Sequence, residues 1–140
     1  MSALDCPELR GTRVLLVEDD ADNRDLLMTL FERNGALVAT ADSAAEALRQ
    51  VQRARPQVLI SDIGLPDVDG FSLLRTLRAL PASDGGDIPA IALTGYRGVR
   101  NPHKDGGECF QAHLTKPVAL GEMLTTVARV LRAGPVSKRR

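Results

Sequence analysis

Four short apolar runs in this sequence end on residues suited to ion or phosphate chemistry. The run ending at Val17 is followed by Glu18-Asp19-Asp20, the run from Val58 by Asp62, that from Ala90 by Thr94, and that from Ala112 by Lys116-Pro117. If the runs are parallel strands of one open sheet, their carboxyl ends converge on the crevice where such sheets bind ligands. Carboxylates, a hydroxyl and an ammonium then meet in one place. Crowded carboxylates raise one another's pKa unless a cation joins them, which suits a hard divalent ion held by oxygen. Mg²⁺ is the natural candidate, because it takes few protein ligands, keeps waters and bridges to phosphate oxygens. Lys116 and the Thr94 hydroxyl would supply charge and a hydrogen bond to a phosphoryl group, leaving one carboxylate as nucleophile.

Taken singly, each piece has a plainer explanation. An acidic pair ahead of a helix commonly serves its N-terminus, and a Thr or Lys at a strand end is commonly incidental. Asp62 is harder to dismiss, because it closes the run Val58-Leu-Ile-Ser, where an unpaired buried carboxylate is costly. It is the joint pattern, four strand ends in order, that makes coincidence the weaker explanation.

The elements that must position these residues are legible as runs and periods. Stretches at 13–17, 37–41, 58–61, 90–93 and 112–115 are short and almost continuously apolar, as strands buried on both faces are. Segments of helical period separate them, and the alternation implies right-handed crossovers between parallel strands. The first helix is expected from Ala21, with Asp19 or Asp20 near its N-cap, Leu26, Leu27, Leu30 and Phe31 inward, and Gly35 past its end. Ser43 and Glu46 have capping-box spacing at the second, which turns Ala44, Ala47, Leu48 and Val51 to one side. The third follows Gly70, buries Phe71, Leu74 and Leu77, and ends before Pro81. The last, from about Leu120 to Ala133, turns Leu120, Leu124, Val127 and Leu131 inward, although Ala119 is a poor cap. The fourth helical segment, 99–109, contains Pro102 and Gly106-Gly107 and is expected to be short or irregular. Asp84-Gly85-Gly86-Asp87 reads as a flexible loop.

Composition bounds the rest. The chain has 140 residues, 44% hydrophobic and 26% charged, with 18 Lys plus Arg against 18 Asp plus Glu. That is one ordinary domain with enough apolar residues to build its own core, and too little net charge for a disordered chain or a general polyanion binder. The basic tail Lys138-Arg139-Arg140 reads as a solvated end. Cys6 and Cys109 lie too far apart for a zinc knuckle or redox pair, and read as free thiols. Neither a signal peptide nor a membrane-spanning run is visible, so a cytoplasmic protein is expected, with no membrane insertion.

The runs from Val14 to Asp20, Ser61 to Gly70 (Ser-Asp-Ile-Gly-Leu-Pro-Asp-Val-Asp-Gly), Ala92 to Tyr96 and His113 to Pro117 together resemble the receiver domain of two-component response regulators. The resemblance covers about residues 11–133, leaving an N-terminal extension of 1–10 and a basic tail of 134–140. It implies an α/β, flavodoxin-like (βα)5 sandwich whose parallel sheet has the order 2-1-3-4-5. It also implies that Asp62 accepts a phosphoryl group from a histidine kinase or histidine phosphotransfer protein. Asp19, Asp62 and the Gly64 carbonyl would hold Mg²⁺, for which Mn²⁺ can substitute, with Glu18 acting through a water. Thr94 and Lys116 would contact the phosphoryl oxygens, and the Lys116–Pro117 peptide would be cis. Readout would run through Thr94 to the face built by the fourth helix, fifth strand and fifth helix, toward an unidentified downstream protein. Phosphorylation-induced homodimerisation is open, and no direct nucleic-acid binding is expected. Gly95-Tyr96 and the stretch from Ala112 to Val118 lean toward receivers fused to hybrid kinases.

Some positions depart from the family pattern. His113 stands where Tyr or Phe is usual, and is read as an edge-packed histidine in preference to a pH sensor. Tyr96 either shields the acyl phosphate from water or turns to solvent, and Cys109 replaces a common glycine. Competing functions are a degenerate receiver used only for docking and a Mg²⁺-dependent aspartyl-phosphate phosphohydrolase. The latter lacks its DxD motif and lid here. A flavin-binding flavodoxin is disfavoured by the acidic first loop.

Overall fold

The computed structural model describes residues 4–95 and 110–136. Within them, strands and helices alternate as β1 (Arg13–Val17), α1 (Ala21–Arg33), β2 (Leu37–Ala41), α2 (Ala44–Ala54), β3 (Val58–Asp62), α3 (Gly70–Arg78), β4 (Ala90–Thr94), β5 (Ala112–Thr115) and α4 (Leu120–Ala133). The strands form one parallel sheet of order β2-β1-β3-β4-β5, the expected flavodoxin-like arrangement. The 99–109 segment, Tyr96 and Cys109 lie outside the described residues.

Side chains alternate across the sheet and build two cores. Val14 and Leu16 of β1 join Phe31 of α1 and Val127 of α4 on one side. Leu15 and Val17 join Val51 of α2 and Leu74 of α3 on the other. Full burial on both faces holds for the interior of the sheet, where β3 is buried at every residue. It fails at the edges. β2 borders only β1, and its Leu37 is 61% exposed, while His113 and Thr115 of β5 face outward. Apolar content alone does not distinguish an edge strand from an inner one.

Helix α1 corrects a second expectation. Leu27, Leu30 and Phe31 form its inward stripe, whereas Leu26 is 52% exposed. At 3.6 residues per turn, Leu26 lies about 100° off that stripe.

Most helix starts are capped as their sequences suggest. Asp20 accepts from Asn23 N–H at 3.2 Å, Asp69 from Ser72 N–H at 2.8 Å, and Ser43 Oγ from Glu46 N–H at 3.2 Å. The capping box at α2 is only half made, since the Glu46 carboxylate accepts from Arg49 and Gln50 instead. Ala119 provides no side-chain cap to α4. Residues Ala82–Asp84 form a 3-10 helix, and the expected loop at Asp84–Asp87 is the turn that leaves it. The helix is closed by Gly85 at φ +100°, where a Cβ would lie 2.6 Å from Val51 Cγ1. Ahead of β1, a 3-10 turn at Pro7–Leu9 packs Cys6, a free thiol, and Leu9 into the core. Asn34 fastens this stretch, accepting from Cys6 N–H at 2.6 Å and donating to the Leu4 carbonyl at 3.2 Å, and Glu8 pairs with Arg132 of α4.

Candidate metal and phosphoryl site

The sheet order brings the ends of β1, β3, β4 and β5 side by side. Asp62 is the last residue of β3 and pairs in register with Leu93, one residue before Thr94 at the end of β4. Lys116 N–H donates to the Thr94 carbonyl at 2.7 Å, carrying the β4–β5 pairing one step past the strand. Glu18 N–H donates to the Ala41 carbonyl at 2.9 Å, and Arg24 Nη1 holds the Glu18 carbonyl at 2.9 Å. The backbones of Glu18, Asp62 and Lys116 are thus each tied to a neighbouring strand.

Lys116 Nζ lies 2.7 Å from Asp62 Oδ2 and 2.9 Å from Glu18 Oε1, donating to both. The other Asp62 oxygen accepts from Gly64 N–H at 3.1 Å. Glu18 is fully buried, Asp62 is 8% exposed, and Asp19 lies at the surface. Carboxylate oxygens of these three residues lie within 4.8 Å of one another.

Burial pushes the Glu18 carboxyl up to about 7, the Asp62 charge adds to the shift, and the Lys116 ammonium opposes it. For Lys116, burial alone would lower the pKa, yet the bonds to Asp62 and Glu18 outweigh it and the pKa is raised. The amine is a fixed cation, and it leaves carboxylate charge in want of more positive partner. An all-oxygen donor set with that unmet demand fits a hard divalent ion.

The remaining predicted residues fall around this centre. Gly64 is exposed, and a Cβ there would meet nothing within 4 Å, so the approach on that side is open. Thr94 is half-buried at the rim, and the Lys116–Pro117 peptide is cis. His113 is exposed on β5, its ring edge-on to Phe110 at 5.7 Å between centroids, and Phe110 meets Phe71 of α3 at 5.8 Å. A groove of about 290 Å³ opens beside the centre, lined by Glu18, Leu26, Leu27, Leu93, Lys116 and Pro117, among others.

Several residues that hold the site are not legible from motif spacing. Arg24 acts on a backbone carbonyl. Gly70 starts α3 so close to β3 that a Cβ would lie 2.7 Å from the Asp62 carbonyl oxygen. Asp67, beyond Gly64 in the β3–α3 loop, accepts from Ala44 N–H at 2.9 Å and Ala45 N–H at 3.0 Å, capping a helix from 22 and 23 residues away. The only sequence signal was a short acidic residue in a turn.

Comparison with known proteins agrees with this geometry. Residues 14–128 match the family model described as response regulator receiver domain. A 14.6 kDa protein encoded in the sodA1 3′ region of Leptolyngbya boryana is 40% identical over 122 residues, covering 87% of this chain and 92% of that protein. Response regulator MprA of Mycobacterium leprae is 37% identical over 122 residues, covering 86% of this chain but 51% of that protein. The chain thus spans about half the length of the mycobacterial regulators it matches. Among solved structures, a putative response regulator from Chloroflexus aurantiacus superposes with a TM-score of 0.78 at 29% identity, covering 88% of this chain and 99% of that one. The receiver domain of sensor histidine kinase PA1611 from Pseudomonas aeruginosa, which has a magnesium ion coordinated in its active site cleft, gives 0.76 at 27%, covering 87% and 98%. The chain belongs to the response regulator receiver domain family of two-component signalling.

Proposed function

We propose that this receiver accepts a phosphoryl group on Asp62 from a histidine kinase or histidine phosphotransfer protein and passes the change to a downstream protein in the cytoplasm. The observation that carries this reading is the position of Lys116 Nζ, within hydrogen-bond distance of both Asp62 and Glu18 at the carboxyl end of the sheet.

An Asp62 oxygen attacks phosphorus in line, forming the O–P bond as the P–N bond to the donor imidazole breaks. Gly64 N–H on Oδ1 and Lys116 on Oδ2 orient the carboxylate beforehand. Lys116 then pairs with a phosphoryl oxygen, its charge offsetting what accumulates there, while the Thr94 hydroxyl donates to another. Asp19, Asp62 and the Gly64 carbonyl would hold Mg²⁺ or Mn²⁺, with Glu18 acting through water, and the ion would supply positive charge against those oxygens. Water attack on the acyl phosphate later restores Asp62.

The donor must reach Asp62, and exposed Leu26 beside the groove offers it an apolar foothold. Readout is assigned to Thr94, β5 and α4, with His113 on the edge of that face. The test is intact-mass measurement after incubation with Mg²⁺ and acetyl phosphate. The wild type is expected to gain the mass of one phosphoryl group and Asp62→Asn none; no gain in either protein would leave a docking module as the better reading, and an equal gain in both would place the acceptor elsewhere.

A further inference from the structure

The loop from Ile63 to Asp69 carries Gly64 and joins the acceptor strand to α3, yet little packing holds its middle. Gly64, Pro66, Asp67 and Val68 are exposed, and Leu65 alone of its middle residues is packed on the core. Against this, the Asp67 carboxylate binds the first two backbone N–H groups of α2 with both oxygens. Those bonds hold its carboxyl below the ordinary aspartate range. Ser43 satisfies Glu46 N–H through its hydroxyl and Ala47 N–H through its carbonyl. The N-terminus of α2 is therefore shared between a local residue and one from the phosphoacceptor loop.

We infer that Asp67 is a positioning residue, tethering the β3–α3 loop to α2 so that Gly64 is held where a divalent ion at Asp19 and Asp62 can use its carbonyl. The inference rests on the proposed Mg²⁺-dependent function and names a residue outside its reacting set. Gly64 has no side chain to pack and a Cβ there would meet nothing within 4 Å, so beyond its N–H bond to Asp62 its place depends on how the rest of the loop is held. Residues that orient metal ligands without touching the metal typically change affinity by about 10–100-fold.

Ser43 supplies the control. Ser43→Ala and Asp67→Ala each remove a cap from the same helix end, but only Asp67 belongs to the loop bearing Gly64. Mg²⁺ alone is titrated into each protein, followed by the amide resonances of Ile63 and Gly64, with thermal midpoints measured in parallel. Asp67→Ala is expected to weaken Mg²⁺ binding about tenfold, with Asp67→Asn intermediate because it keeps one acceptor. Ser43→Ala is expected to lose comparable stability while keeping wild-type affinity. If Asp67→Ala fails to fold, Asp67→Asn decides the matter against the same control. Wild-type affinity in the Asp67 variants, or equal weakening in Ser43→Ala, would overturn the tether while leaving the functional reading intact. A wild type whose Ile63 and Gly64 resonances Mg²⁺ does not move would overturn that reading together with the inference.

Discussion

Lys116 is both partner and competitor at this site. Its ammonium occupies Asp62 Oδ2 and Glu18 Oε1, on two of the carboxylates gathered at the proposed metal site. Replacing it should therefore separate two properties. Lys116→Ala is expected to bind Mg²⁺ more tightly by calorimetry, because a neighbouring positive charge is gone. The same variant should accept phosphate from acetyl phosphate about 100-fold more slowly, the typical cost of losing one donor to a developing oxyanion. Parallel losses of both would contradict the assignment. Glu18, Asp19, Asp62, Thr94 and Lys116 were legible in the sequence because each sits at the end of an apolar run, where the sheet leaves no choice of destination. Arg24 and Asp67 were not, because they act on backbone carbonyl and N–H groups, which every residue possesses and no motif marks. Tyr96 lies outside the described residues and stays an expectation.

Two junctions between elements have measurable consequences. Gly70 begins α3 against the Asp62 carbonyl, with a would-be Cβ at 2.7 Å from it, so Gly70→Ala must push the helix start or the acceptor strand. A loss of about 1–3 kcal/mol is expected in denaturant unfolding, as for other overpacked positions. Asp67 gives a pH signature. Its folded pKa lies below the unfolded value of about 3.9, so its contribution is fully present above that value and is lost as pH falls through the folded pKa. The stability gap between wild type and Asp67→Asn should accordingly shrink on acidification below about pH 4, when followed by thermal unfolding at a series of pH values. Among the described residues, the strand and helix spans were readable from periodicity, since runs of this length leave few alternatives. Their surroundings were less so. Leu26 fits an apolar pattern but points outward, and Leu37 reads as buried until its strand is known to lie at an edge.

Across the whole molecule, the sheet carries reactive groups at one end and fastens the N-terminal stretch at the other, where Asn34, Glu8 and Arg132 bind it down. Periodicity yields the alternation of strands and helices, but the order 2-1-3-4-5 came from the family resemblance, because strand spacing does not say which neighbours pair. The division of labour predicts that donor docking and phosphoryl chemistry are separable. Leu26→Glu, at an exposed position, should change stability by less than about 0.5 kcal/mol. It should leave labelling by acetyl phosphate unchanged while slowing transfer from a phosphorylated histidine protein, a difference read by comparing the two donors. The central claim is narrower: one carboxylate, Asp62, takes the phosphoryl group. Borohydride reduction of the phosphorylated protein converts an aspartyl phosphate to homoserine, and peptide sequencing then locates it. Homoserine at position 62 alone is expected; homoserine at another acidic residue, or none after demonstrated phosphorylation, would contradict the assignment.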